Sequence, residues 1–493
     1  MKRKILLWLL VAALMLPLTA CGGASEETTL WVVTEETTWD RMNGQAWVLQ
    51  AAFEESHPGV KLNIDILPTE KQERSAYLQK LRIQILQGAG PDIYLLPTDT
   101  RLIVGDAGGA VARTIEPLFA DVTQAMANGM FRDISGFYDA DEALGKESLH
   151  TTVMDGGVMD GARYVLPLRY DIPVIYAERW TLKELGFDTA VLEKPLPDIM
   201  AEALRTGDPL VAAGAVYDGV GIFGDWIDYT AEDTALTEDV LAAYMADFQK
   251  LVASTEEYGR AFRMDVVSYI YGVYENKEYA TERFPLFIGS LQQLLNYAPV
   301  AQYEQSDYAI LPLQSVGGGT VATVTYYGAV GSGCKEAELA YEFLRQFLLE
   351  ESQWEENRPK KMNTIKGIPP SKTIQDKSTK SQQPGLIENG WPVRIRGSLN
   401  PVWNIRRLQF YSKYSGAVPM RKIGRCILEE QYGEILNAPV NKVRFPSDAD
   451  RALTEVLRTL NHDYQENYRA ADVAPRELAQ EFLWELGRHI AEG

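Results

Sequence analysis

The chain has 493 residues, 46% of them hydrophobic, and a formal net charge of −20. That length and apolar fraction suit two or three domains with substantial cores and exclude a disordered chain. The acidic balance speaks against a nucleic-acid partner, which needs clustered Lys and Arg to neutralise phosphates.

Lys2, Arg3 and Lys4 precede an apolar run from Ile5 to Leu16, the layout of a secretory signal, so residues 1–20 are expected to be removed. The run is too short for a comfortable membrane span. It leads into Leu18-Thr19-Ala20-Cys21-Gly22-Gly23, which resembles the lipobox of bacterial lipoproteins. The resemblance implies that Cys21 is lipidated and anchors the chain to the membrane, with residues 21–28 as a polar tether; two acyl chains there give stable anchoring where one is marginal. The alternative is an ordinary cleaved signal with a chance cysteine. Cys334 and Cys426 then face an extracytoplasmic compartment, as a disulfide or as two buried thiols.

Leu30-Trp31-Val32-Val33 reads as a first strand, and the polar loop after it carries Trp39. A helix from about Gly44 to Ser56 follows, with Trp47, Val48, Ala51, Ala52 and Phe53 on its apolar side, closed by His57-Pro58-Gly59. Val60 to Leu67 alternates as a second strand. Leu78, Leu81, Ile85 and Leu86 mark a helix from about Gln72 to Gln87, which Gly88, Gly90 and Pro91 terminate. Ile93-Tyr94-Leu95-Leu96 is then a strand buried on both faces of a parallel sheet. Strand, helix, strand, helix, strand predicts right-handed crossovers. Ligands of such sheets bind beyond the carboxyl ends of the strands, which points to the loop carrying Asp99.

Ala52 to Leu62, followed by a helix and Gly88-Ala89-Gly90-Pro91-Asp92-Ile93, resembles the start of the bacterial extracellular solute-binding proteins of the sugar-binding class. Further similarities follow in order: Arg163 to Leu168, Ile175-Tyr176-Ala177, Phe284 to Ser290, Ala309 to Leu313, Gly317-Gly318-Gly319, Ala340 to Leu348 and Gly367 to Ser371. The segment from about Lys372 to Asn400 and the last helices resemble nothing nameable. The family implies an α/β, two-lobed, periplasmic-binding-protein-like type II fold with a ligand cleft between the lobes. Lobe one takes residues 29–168 and 307–362, and lobe two takes 169–306 and 363–493. It also implies hinge closure on a small-molecule ligand, delivery to the permease subunits of an ABC transporter, a monomer, and no cofactor.

Further helices are expected at Glu238 to Ser254, Ala261 to Tyr274, Lys335 to Glu350, Lys422 to Leu436, Ser447 to Tyr468 and Pro475 to Ile490, with a loop-like stretch from Pro359 to Pro384. Motifs of zinc proteases, serine hydrolases and phosphate loops are lacking, and the four histidines, His57, His150, His462 and His489, have no ligand spacing. The acidic runs at Asp139 to Glu142 and Asp225 to Asp239 read as solvated surface rather than a metal site.

A sugar site needs flat aromatic faces and carboxylates or amides for hydroxyls. The resemblance places Asp99, Asp171 and its neighbour Tyr170, Trp39, Tyr326 with Tyr327, and Ser290 at such a site, with Trp226 and Trp391 as stacking candidates in lobe two. The alternatives are core packing for each aromatic and turn or cap roles for the carboxylates. One departure stands out: where the family commonly has Trp after Gly-Ser, this chain has Leu291 after Gly289-Ser290, which offers no aromatic plane. The expected function is capture of a carbohydrate-like ligand by a lipid-anchored binding protein of an ABC importer. A relative that signals ligand state to a membrane sensor and a secreted glycosidase are the alternatives.

Overall fold

The computed structural model describes residues 27–35, 45–98, 101–106, 109–146, 149–228, 233–254, 285–290, 308–349, 439–467 and 473–492. Strands β1 (Thr28–Glu35), β2 (Val60–Leu67) and β3 (Ile93–Pro97) form where the apolar patterns predict them. β1 lies between the other two, parallel to both, with Val32 opposite Ile64 and Ile93. The connections are helices α1 (Gln45–Ser56) and α2 (Lys71–Leu86). Gly88, at φ +70°, takes the left-handed turn that ends α2, a conformation glycine adopts without steric cost.

Leu30, Val32, Ile93 and Leu95 face a helical layer containing Leu49 and Phe53 of α1, while Val33, Tyr94 and Leu96 face Leu78, Leu81 and Ile85 of α2. The two-residue alternation of a strand therefore fills both faces of the sheet. The inward stripe of α1 differs from the expected one. Ala51 and Ala52 are exposed, and Leu49 and Phe53, four residues apart, make the contact. Leu86 is exposed as well. Beyond the expected loop at Asp99 runs an unforeseen hairpin, Arg101–Asp106 against Gly109–Thr114.

Strand β4 (Val165–Asp171) belongs to this first sheet and β5 (Pro173–Glu178) to a second one, where it lies between β6 (Leu286–Ser290) and β7 (Tyr308–Pro312), antiparallel to both. The chain returns to the first sheet as β8 (Thr320–Val330), which pairs antiparallel with β3 and β4. β9 (Val440–Arg444) then runs parallel to the start of β8. The first sheet is therefore mixed, whereas the sequence pattern suggested a parallel one. Local periodicity cannot announce a partner strand that arrives more than 200 residues later.

The second lobe packs α3 (Leu196–Thr206), α4 (Pro209–Ala215) and α5 (Glu238–Ser254) around its sheet, with Leu241, Tyr244, Met245 and Phe248 inward as predicted. Helix α6 (Ala337–Arg345) covers the first lobe and is shorter than the expected Lys335 to Glu350, turning through Leu348. α7 (Asp448–Asn467) and α8 (Pro475–Glu492) send Leu453, Leu457, Phe482 and Leu486 into the second core. The lobe boundaries move accordingly. Tyr308–Pro312 sits in the second sheet, the return to lobe one comes at Thr320, and Val440–Arg444 is a lobe-one strand inside a segment expected to be wholly lobe two. The expected helices at 261–274 and 422–436, the 359–384 stretch, and the segment with the signal and Cys21 lie outside the described residues.

Inside lobe one, Arg74 binds the Glu35 carboxylate with both terminal nitrogens (2.5 and 3.0 Å) and also donates to the carbonyls of Glu116 and Pro68. Burial pushes the Glu35 carboxyl up, and the guanidinium opposes it. Arg74→Met should strand a buried carboxylate and cost about 3–5 kcal/mol in urea unfolding; a loss below about 1 kcal/mol would show the pair to be incidental. In lobe two, a Cβ at Gly214 would stand 1.7 Å from the Leu286 carbonyl oxygen. Backbone cannot swing away as a side chain can, so Gly214→Ala should lower stability by about 1–3 kcal/mol by thermal unfolding.

Candidate functional site

The described chain passes between the lobes at Asp171 to Pro173, at Pro312 to Thr320, and at Arg444 to Asp448. The lobes therefore meet where β4, β8 and β9 reach their second-lobe ends, and a ligand touching both lobes must lie there. Asp171 is the last residue of β4, opposite Thr323, and its Oδ1 accepts a hydrogen bond from the Ile172 amide (2.9 Å). Two residues on, Pro173 is paired with Ser290, so Asp171 and Ser290 flank one crossing. Both are half-buried.

Facing Asp171 from lobe two is a loop that the sequence reading missed, Tyr217-Asp218-Gly219 after α4. The carboxylates of Asp171 and Asp218 and the Arg444 guanidinium all act on the Tyr217 hydroxyl. Burial is the largest cause pushing that phenol up, the two carboxylates add to it, and Arg444 opposes them. The loop is fixed from below, because the Tyr217 carbonyl accepts the Tyr244 hydroxyl. A Cβ at Gly219 would stand 2.3 Å from the Tyr217 ring, so only glycine lets that ring fold back over the turn. The following turn, Val220–Phe223, brings Gly221 toward Thr323 and Arg444 of lobe one, and its Ile222 carbonyl accepts from Val316 of the second crossing (2.8 Å). The signal available in the sequence was an aromatic and an acid joined to a turn glycine between two helical patterns.

The expected aromatics fare differently. Tyr170 is 1% exposed, with its ring edge-on to His150. Strand alternation turns it to the face opposite Asp171, so it does not line the cleft. Tyr326 and Tyr327 are buried in the two cores on either face of the first sheet. Trp226 is 2% exposed, packed against Phe482, and its Nε1 donates to Asp450 Oδ1 (3.0 Å), which leaves no ring face for a ligand. In all these cases the large apolar ring took the core position that its desolvation favours. Trp39, Asp99 and Trp391 lie outside the described residues. Thr98, immediately before Asp99, is fastened to β8 through Val324 and Thr325.

Among the described residues no group of His, Cys, Asp and Glu is placed to hold a metal ion, and no helix is long and apolar enough to cross a membrane. Cys334 is a free, buried thiol pushed up to about 12, chiefly by burial and also by Asp92. Cys426 lies outside the described residues.

The family described as bacterial extracellular solute-binding protein matches residues 39–354, more than half of the chain. The chain belongs to that family. Among solved structures, this solute-binding protein is similar to a periplasmic oligogalacturonide binding protein from Yersinia enterocolitica, with 12% identity and a TM-score of 0.52 over 94% of this chain and 99% of that one. It is similar also to a de novo designed cysteine esterase, with 12% identity and a TM-score of 0.52 over 95% of this chain and 99% of that one. Both are likenesses of fold. No curated protein matches the sequence.

Proposed function

We propose that this solute-binding protein captures a hydroxyl-rich ligand of the carbohydrate class between its lobes and hands it to the permease of an ABC importer, as a monomer held at the outer face of the cell membrane through Cys21. The observation that carries the ligand class is that the lobe-two segment following Tyr217-Asp218 brings Gly221 against Thr323, the residue opposite Asp171 on the first sheet. Two carboxylates can accept hydrogen bonds from vicinal hydroxyls, and the phenol supplies both a flat apolar face and a polar edge. Asp99, Trp39, Ser290 and Trp391 join them in this reading, whereas Tyr170, Trp226 and Tyr326 serve the cores. The oligogalacturonide-binding description of the Yersinia protein agrees with the ligand class.

Closure follows from where these groups stand. Asp171 comes from lobe one and Tyr217 with Asp218 from lobe two, so a ligand bonded to both gains contacts that exist only when the lobes approach. Binding rather than catalysis is the reading here. The described cysteine is a poor nucleophile, being buried with its thiol pushed up to about 12.

A thermal-shift screen of the purified protein against mono- and oligosaccharides, peptides and polyamines tests the proposal. A ligand at a hundred times its dissociation constant should add about 2.7 kcal/mol of stability. For a sugar that scores, Asp171→Ala should abolish the shift and Tyr217→Phe, which keeps the packed ring, should reduce it, while the ligand-free melting temperature stays close to that of the parent. A hit confined to polyamines, or a sugar hit indifferent to both substitutions, would overturn the assignment.

A further inference from the structure

At the third crossing a strand of one lobe and a helix of the other are tied by a single carboxylate. Arg444, the last residue of β9 in the first sheet, forms an ion pair with Asp450 in the first turn of α7, and both side chains are about 95% buried (5% and 6% exposed). Asp450 Oδ2 also accepts from the amide (2.6 Å) and the hydroxyl (3.0 Å) of Ser447, and the Ser447 hydroxyl accepts from the Asp450 amide. Ser447 and Asp450 thus form a reciprocal helix cap. The remaining oxygen, Oδ1, accepts from Trp226 Nε1, and Trp226 is rooted in the second core beside Phe482. Capping alone would need only Ser447 and Asp450, and it explains neither the Arg444 nor the Trp226 contact. Asp450 stands on a lobe-two helix, so Arg444 is the partner that ties the lobes, and Trp226 holds the same carboxylate in place from within lobe two.

The other two crossings are built differently. The first is a single residue, Ile172, held by backbone pairing on either side. The second contains Gly317-Gly318-Gly319, with Gly318 and Gly319 at φ +81° and +75°, conformations glycine adopts without steric cost, in a turn closed by Ser315, whose amide and hydroxyl donate to the Gly319 and Gly318 carbonyls. A rotation of two rigid bodies leaves points on its axis in place, so a desolvated, fully satisfied polar knot can survive closure only near that axis. A run of glycines suits the place where dihedrals must change.

We propose that Asp450, bound by Arg444 from lobe one and Trp226 from lobe two, is a positioning residue for ligand capture: it pins the third crossing as the pivot about which the lobes close, and the glycine run of the second crossing absorbs the rotation. Breaking the knot releases the pivot, widens the range of lobe angles and dilutes the binding-competent arrangement. The inference rests on the reading of the protein as a two-lobed solute trap, but its main test needs no ligand.

Nitroxide side chains introduced at Lys61 of lobe one and Lys250 of lobe two, both exposed, report the distance between lobes by pulsed electron resonance. The parent protein should give one narrow distribution. Arg444→Met should broaden it and shift it to longer distances. Trp226→Phe, which keeps the packing and removes one N–H, should do so to a smaller degree and decides the matter should Arg444→Met fail to fold. Arg444→Lys, which keeps the charge, should stay near the parent. An unchanged distribution in Trp226→Phe and Arg444→Met alongside a lower melting temperature would reduce the knot to a stability element and overturn the proposal. Equal broadening in Arg444→Lys and Arg444→Met would overturn the role of the ion pair. If a sugar scores in the binding screen, its dissociation constant should rise in Arg444→Met and Trp226→Phe. Lack of any sugar hit would count against the ligand class and leave the distance measurement standing.

Discussion

Everything in lobe one depends on the pairing of a single 11-residue strand, Thr320–Val330. It holds β3 and β4 along its length and β9 at its start, so three strands from distant parts of the chain share it. Among the described residues, the edges of β3 and β4 that face β8 pair with no other strand. Because β8 arrives antiparallel, its first residues lie beside the last residues of β4, and Thr323 stands opposite Asp171. The position of the candidate site is a consequence of that register. A shift of one residue would exchange the faces of Asp171 and Tyr170, burying a carboxylate and exposing an aromatic ring.

The same constraint decides where most of the described rings go in a chain that carries 25 tyrosines and 10 tryptophans. Strands buried on both faces leave room for exposed groups only at their ends, where Asp171 and Ser290 sit. The rings in mid-strand, Tyr94, Tyr170, Tyr326 and Tyr327, serve the two cores. An aromatic face for a ligand must therefore come from a loop, and in the proposed reading Tyr217, held by Gly219 and by the Tyr244 hydroxyl, supplies it.

Local signals in the sequence were read to within a residue or two. The β1–α1–β2–α2–β3 unit, the stop at Gly88 and Pro91, and helices α5, α7 and α8 all follow from short-range periodicity and capping chemistry. The antiparallel neighbour of β3 and the return of Val440–Arg444 to the first sheet were not legible, because each is fixed by a partner more than a hundred residues away. Asp171 and Ser290 were expected at the site from the family resemblance, and each lies at the end of a strand. The burial of Trp226 was not legible: nothing around Gly224-Asp225-Trp226 announces that Asp450 waits for its indole N–H. Tyr217 was passed over because a single aromatic in a short turn carries no period at all.

The late arrival of β8 also sets the order in which the molecule can assemble. A chain emerging from its amino end delivers β1, β2 and β3 first, but β4 cannot join them until more than 150 further residues have appeared and β8 is there to bridge the gap. Contacts of such long sequence separation form slowly, since a large loop must close before they stabilise anything. During that interval the half-built sheet keeps an open edge. All three strands of the second sheet precede β8, so β3 and β4 wait with exposed edges while that sheet is made, the stage at which the chain is most open to wrong pairing.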